Sequence, residues 1–279
     1  MKTLDGKVVV ITGAGSGMGR ALAIQSAAKG AELALSDWDE VGLVETLELV
    51  SAQPNRGVRT DKLDVRDRAA MQEYAASVAA DLGRVNVLIN NAGVALNGDF
   101  ADTSYDDFEW IMDVNFWGVV QGTKEFLPHL IASGDGHLVN ISSLFGLIGV
   151  AGQTAYNAAK FGVRGFTEGL RQEMLIEGHP VQVTCVHPGG IKTAIARNGR
   201  AGTPEEQAAL ADFFDTKLAS MTAERAAEII LAGVLADKPR VVFGNDARAI
   251  DLLARVTGSG YQRIVATVTK RIRARTSRR

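Results

Sequence analysis

A run of β-branched residues passes directly into a cluster of glycines and then into a helix. Residues 7–12 read K-V-V-V-I-T, 13–19 read G-A-G-S-G-M-G, and 20–24 read R-A-L-A-I. A short, continuously apolar stretch suits a strand buried on both faces, as in a parallel sheet. Glycines let the backbone approach a pyrophosphate closely, and the helix that follows presents free N–H groups and a partial positive charge. Strand, glycine turn and helix together form the phosphate cradle of a dinucleotide fold. Gly13, Gly15, Ser16, Gly17, Met18 and Gly19 are therefore candidate cofactor-binding residues.

The rest of the chain repeats the alternation. Strand-like runs recur at 7–12, 32–36, 58–63, 85–90, 137–141, 181–187 and 240–243, with helical patterns between them, as at 69–82 and 161–176. This order predicts an α/β protein: a Rossmann-type, doubly wound parallel sheet of about seven strands with helices on both faces. A length of 279 residues allows about two domains, but no Pro/Gly/Ser-rich linker divides the chain. The expected organisation is one dinucleotide-binding catalytic domain over 1–244 and a helical extension with a basic tail over 245–279.

The second strand ends at Asp37, eighteen residues after Gly19, close to the ~20 expected for an acidic ribose ligand. A carboxylate there accepts hydrogen bonds from both adenosine ribose hydroxyls and repels a 2′-phosphate, which favours NAD over NADP. Trp38 is counted with the same set. Arg20, which could face a phosphate, and Asp39, as a helix N-cap, are competing features nearby.

Tyr156 and Lys160 stand four residues apart in Y-N-A-A-K, with Ser143 thirteen residues before the tyrosine. Residues at i and i+4 share a helix face. A neighbouring positive charge favours the phenolate and brings it towards the range where a general acid/base works. A serine hydroxyl could hold a carbonyl oxygen beside them. Ser142 is the alternative serine, and the thirteen-residue offset favours Ser143.

Taken together, Thr12-Gly13-x-x-x-Gly17-x-Gly19, Asp64-Val65, Asn90-Asn91-Ala92-Gly93, Asn115, Ser143, Tyr156, Lys160 and Pro188-Gly189 with Thr193 resemble the short-chain dehydrogenase/reductase family, from about Leu4 to about Gly244. The resemblance implies that Asp64 and Val65 bracket an adenine and that Asn91, Ala92 and Gly93 support the cofactor side of the site. It implies that Asn115 orders a water joined to Lys160, and that Pro188, Gly189, Ile191 and Thr193 lie at the nicotinamide. It further implies a homo-oligomer, dimer or tetramer, built on the helix of Tyr156 and its predecessor. Ala159 and Gly190 depart from the family's usual residues. Without the resemblance, Asp64 reads equally as a cap before Arg66, and Asn90-Asn91 as a strand-end turn.

Composition supplies mainly exclusions. A net charge of −2 gives the body no electrostatic footprint for nucleic acid. Cys185, the single cysteine, reads as a buried strand residue, and His129, His137, His179 and His187 lack metal-ligand spacing. With no signal peptide and no apolar run of ~18 residues, a cytoplasmic protein is expected. The segments expected around a substrate, 94–96, 144–153 and 195–218 with Leu210, Phe213 and Phe214, are largely apolar and suit a hydrophobic ketone or secondary alcohol. Arg197 and Arg200 either anchor an acidic group or stand in solvent, and 199–204 resembles the start of a lid. In the extension, Tyr261, Ile264, Val265, Val268 and Ile272 form an apolar stripe among Arg263, Lys270, Arg271 and Arg273. Docking on the body or a neighbouring subunit is favoured over contact with an anionic membrane.

The expected activity is hydride transfer between NAD(H) and a hydrophobic secondary alcohol or ketone, with Tyr156 as general acid/base. The alternatives are an NADP(H)-dependent acyl-thioester reductase of lipid synthesis and a non-catalytic dinucleotide sensor.

Overall fold

The computed structural model describes residues 1–193, 195, 199–201, 208 and 221–276, with the backbone alone at 245, 246 and 271–276. The strands are β1 (Val8–Thr12), β2 (Glu32–Asp37), β3 (Val58–Lys62), β4 (Val87–Asn90), β5 (Gly136–Ile141), β6 (Val181–Pro188), β7 (Ile191–Lys192), β8 (Met221–Thr222) and β9 (Arg240–Phe243). The helices are α1 (Gly17–Ala28), α2 (Glu40–Ser51), α3 (Arg68–Leu82), α4 (Tyr105–Met112), α5 (Gly118–Ala132), α6 (Thr154–Ile176), α7 (Ala223–Leu235), α8 (Asn245–Thr257) and α9 (Tyr261–Thr276).

Seven strands form one sheet in the order β3-β2-β1-β4-β5-β6-β9, and every neighbouring pair is parallel. The winding reverses between β1 and β4, and their carboxyl ends open the crevice where such sheets bind ligands. Each residue of β1, β4 and β5 is buried. Successive side chains of a strand point to opposite faces, so Val9 and Ile11 join one core cluster with Leu22, Leu35 and Ile230, while Val10 joins Met71, Phe126 and Leu170 on the other side. Both faces are therefore covered, as a continuous apolar run requires. The edge strand β3, V-R-T-D-K, is only partly buried.

Two boundaries move. The expected strand at 85–90 starts at Val87; Asn86 just before it still donates its backbone N–H to the Val8 carbonyl at 3.0 Å and accepts from the His137 N–H at 2.7 Å, and its side chain accepts from the Val8 N–H at 3.1 Å and donates to Asp135 at 2.6 Å. The helix expected at 161–176 starts at Thr154 and so carries both Tyr156 and Lys160. Its inward residues Ala155, Ala159, Val163, Thr167, Leu170 and Met174 recur at helical spacing. Each large apolar side chain buried this way stabilises the fold by roughly 1.5–3 kcal/mol.

The chain after β9 returns to the body. Ala247, Ile250, Ala254, Tyr261 and Val265 pack with Leu144 and Ile148, and the Gly149 N–H donates to the Tyr261 hydroxyl at 3.0 Å. The expectation of a buried apolar stripe is only half met. Ile264 and Val268 remain 46% and 49% exposed, because α9 docks through one edge of the stripe. The Ile272 side chain lies outside the described residues. Among the described residues, no helix is long and apolar enough to cross a membrane.

Candidate active site

The glycine turn sits at the reversal point of the sheet. Gly13 has φ +67°, and a Cβ there would lie 2.7 Å from the Ala92 Cα, so both the left-handed backbone and the close approach demand glycine. At Gly19 a Cβ would meet the Gly13 carbonyl at 1.9 Å. The two loops are cross-linked through Thr12: its hydroxyl accepts from the N–H groups of Asn91 and Ala92 at 3.1 and 3.2 Å. The Asn91 amide donates to the carbonyls of Thr12 and Gly13, each at 3.0 Å. Thr12 opens the glycine motif read from the sequence but was given no role there. Its signal was a hydroxyl residue closing an otherwise apolar strand.

Ser16 is the N-cap of α1 without a side-chain cap bond, and no acidic residue stands in the first turn, which includes Met18. The positive end of the helix is thus not neutralised from within the turn, as an anion cradle requires. Gly17, φ +52°, packs on the Thr193 side chain. Asp37, the last residue of β2, accepts from the Gly15 N–H at 2.8 Å and the Asp39 N–H at 3.0 Å. Burial raises its pKa above the ordinary carboxylate value, partly offset by those two N–H groups. Trp38 is 73% exposed. Asp39 occupies the N-cap position of α2 but makes no side-chain cap. Arg20 is occupied: it donates to the carbonyls of Gly15 and Gly42, to Thr46 at 3.0 Å and to Glu45 at 2.7 Å.

Asp64 is held by Arg66 at 2.6 Å and accepts the Arg66 N–H at 3.0 Å, which keeps its carboxyl below the usual range. It is not the cap of α3; Asp67 fills that place, accepting from the Ala70 N–H. Val65 is buried and lies against Gly118, where a Cβ would come within 2.8 Å of it.

Asn115 is fully buried within the π-helical segment Asp113–Trp117 between α4 and α5, a local widening that often marks functional sites. Its side chain accepts the Val94 N–H at 2.8 Å and donates to the Val94 carbonyl at 2.9 Å. A Cβ at Gly93 would lie 3.1 Å from the Asn115 amide oxygen and 3.5 Å from the Lys160 Nζ, so Gly93, Asn115 and Lys160 converge on one point.

At the adjacent end of β5, the two serines face opposite ways. Ser142 donates to the Lys160 carbonyl at 2.8 Å. Ser143 accepts from the Phe145 N–H at 3.1 Å, and its hydroxyl is near enough to Tyr156 to favour the phenolate. His187 Nδ1 lies 3.0 Å from the Ser143 carbonyl. Burial lowers His187 to about 4, so the neutral ring donates from this nitrogen. Sequence reading left His187 as structural, and only the sheet register reveals its contact.

Lys160 is 3% exposed, its ammonium donates to the Ile141 carbonyl at 3.1 Å, and it lies 5.7 Å from the centre of the Tyr156 ring. Burial lowers Lys160 to about 8. Burial likewise raises the Tyr156 phenol, with the Ser143 hydroxyl acting in the opposite direction. The Lys160 ammonium, 5.7 Å from the ring centre, is directed to the Ile141 carbonyl, and burial is the largest influence on the Tyr156 phenol.

Past β6, the Gly189 N–H donates to the Phe243 carbonyl at 2.9 Å, and Ile191 is held by pairing with Met221. Pro188 ends β6 beside Phe243, and of this segment Thr193 lies in contact with Gly17 of the glycine turn. Arg200 is engaged within the chain. It pairs with Asp107 at 2.8 Å and stacks 3.9 Å above the Trp110 ring. Leu210, Phe213, Phe214 and Arg197 lie outside the described residues. An open cleft of about 550 Å³ between α6 and the C-terminal helices, lined in part by Phe161 and Arg255, is separate from this constellation.

A parallel sheet with a glycine turn at its reversal point, beside a buried serine and lysine and a half-buried tyrosine, defines a dinucleotide-binding oxidoreductase. The chain belongs to the short-chain dehydrogenase family, whose model matches residues 7–203. It is 58% identical over 266 residues to the SadH protein of Mycobacterium tuberculosis, covering 95% of this chain and 96% of the relative. It is 38% identical over 232 residues to the meso-2,3-butanediol dehydrogenase of Serratia marcescens, covering 77% and 90% respectively. A crystal structure of a short-chain dehydrogenase/reductase from Burkholderia phymatum in complex with NAD superposes with a TM-score of 0.84 at 28% identity, covering 92% of this chain and 95% of that one.

Proposed function

We propose that this chain catalyses reversible oxidation of a hydrophobic secondary alcohol to a ketone with NAD(H). The observation that carries the reading is the meeting of Ser143, Tyr156 and Lys160 beside the glycine turn, with Asn115 buried behind the lysine. The nicotinamide, when bound, supplies the hydride acceptor or donor. The residues present fit it: an uncapped helix end for the pyrophosphate, Asp37 for the ribose, and Thr193 against the turn.

In oxidation, Tyr156 as phenolate accepts the hydroxyl proton; in reduction its phenol returns it. Ser143 donates a hydrogen bond to the substrate oxygen and so holds it beside the phenol. Lys160 offers its ammonium to the ribose hydroxyls and, when redirected from the Ile141 carbonyl, favours the phenolate. Asn115 keeps its side chain on Val94 and holds the backbone that orders water next to the lysine. Val94, Leu96 and the 144–150 segment supply an apolar wall.

Asp37 supports NAD over NADP, since its carboxylate would meet a 2′-phosphate, and Arg20, the nearby cation, is already paired with Glu45. The same argument weighs against the acyl-thioester reductase reading. The name of the Serratia relative, a butanediol dehydrogenase, agrees with a secondary alcohol. Residues 1–244 form the catalytic unit in this reading, with 245–279 as an extension. The protein is a cytoplasmic homo-oligomer, a dimer or tetramer built on α5 and α6, supported by the exposure of Trp117 and Phe161 there. A panel of secondary alcohols and ketones assayed with NAD(H) and NADP(H) tests the reading. Turnover of ketones or alcohols with NAD(H) preferred supports it; dinucleotide binding without turnover of any member supports the sensor instead.

A further inference from the structure

The C-terminal helices carry a surface that the dehydrogenase chemistry does not use. On α8, Leu252 and Val256 are 62% and 76% exposed, and on α9, Ile264 and Val268 are 46% and 49% exposed. Each pair is spaced i, i+4 and so lies on one side of its helix. The opposite side of α8 and the neighbouring edge of α9 are committed to the body through Ala247, Ala254, Tyr261 and Val265. The exposed apolar side chains are thus presented by docked helices, held in place next to the 144–150 segment.

Charge selects the partner. Residues 252–279 contain eight basic side chains and no acidic one, in a chain whose net charge is −2. Arg255, Arg263 and Lys270 stand exposed among the apolar residues. A second copy could cover the apolar side chains, but a two-fold contact places a patch against itself, bringing the exposed Arg263 and Lys270 of the two copies together, whereas Arg255 is already paired with Asp251 at 3.0 Å. A surface that is apolar at short depth and anionic at its face satisfies both features.

We propose that the C-terminal helix pair binds the surface of an anionic lipid bilayer, with Leu252, Val256, Ile264 and Val268 entering the interface and Arg263 and Lys270 meeting lipid phosphates. The contact leaves the dinucleotide cradle free, and it stands or falls independently of the redox reading.

The full chain is sedimented with vesicles of phosphatidylcholine alone and of phosphatidylcholine mixed equally with phosphatidylglycerol. Binding is expected to the mixed vesicles and not to the neutral ones, weakening as salt rises. Arg263→Gln with Lys270→Gln should lower the binding constant by about fivefold per cation removed. Ile264→Ser with Val268→Ser should lower it further while retaining unfolding temperature, since both side chains are exposed. No binding to the mixed vesicles, equal binding to both kinds, or unchanged binding by both variants overturns the proposal. So does an analytical ultracentrifugation result in which Ile264→Ser with Val268→Ser dissociates an oligomer, because a second copy would then occupy the face.

Discussion

The Ser142 hydroxyl donates a 2.8 Å hydrogen bond to the Lys160 carbonyl, tying the end of β5 to the helix that carries the tyrosine and lysine. Ser143, one residue on, is turned the other way, towards Tyr156. Adjacent residues in extended backbone alternate in direction, so only one of the two can serve a substrate. Ser143→Ala should lower kcat by roughly 100-fold with little change in unfolding temperature. Ser142→Ala should instead lower stability by about 1 kcal/mol, the loss of one buried hydrogen bond, while the Lys160 carbonyl keeps its partner within α6. Steady-state rates and thermal melts of both variants check this; the reverse pattern would exchange the roles.

Cofactor choice rests on Asp37 and on the engagement of Arg20 by Glu45 and Thr46. Asp37→Ala with Trp38→Arg removes the repulsion and places a cation at an exposed position. The ratio of kcat/KM for NADP to that for NAD should rise by about tenfold or more, equivalent to ~1.4 kcal/mol. Equal use of both cofactors by the native chain would contradict the role given to Asp37.

Two buried histidines make the fold acid-sensitive. Burial holds His137 and His187 near 4, whereas an unfolded histidine titrates at about 6.5. Below that value the unfolded chain binds protons that the folded chain refuses, so stability falls as pH drops from about 6.5 to about 4 and then levels. Each can contribute roughly 3 kcal/mol to that loss. Thermal melts across this range should show the decline, and His137→Gln with His187→Gln should flatten it. An unaltered slope in the double variant would remove the histidines from the account.

Tyr261 reaches back from α9 to accept the Gly149 N–H at 3.0 Å. Tyr261→Phe removes that acceptor and frees the loop after Ser143. Substrate KM should rise about fivefold, the loss of ~1 kcal/mol of one hydrogen bond, while NADH affinity stays unchanged. Fluorescence titration of NADH beside substrate kinetics separates the two; parallel loss of both would mean that the whole site had shifted.

Much of this was legible in the residues. The apolar runs located the strands because a parallel sheet buries both faces, and the glycine turn announced itself because Gly13 and Gly19 leave no room for a Cβ. The Tyr156 and Lys160 spacing placed both on one helix. The Thr12 bridge, the His187 contact with Ser143 and the Tyr261 contact with Gly149 were not legible, since each joins residues far apart in sequence through sheet order or helix docking. The paired strands β7 and β8 are two residues each, too short for any periodicity. The stripe of α9 was read as buried because its pattern reveals an apolar face but not how much of that face the body covers.

The central claim is that Tyr156 moves the substrate proton while the cofactor is held by other groups. Tyr156→Phe keeps the ring and its edge contact with Phe145 and removes only the hydroxyl. NADH dissociation constant and single-turnover rate, measured on the same preparation, test the claim most directly. The account predicts an NADH affinity within about twofold of the native value and a rate lowered by roughly 100- to 10,000-fold. A variant that binds NADH normally and still turns over at near-native rate would contradict it.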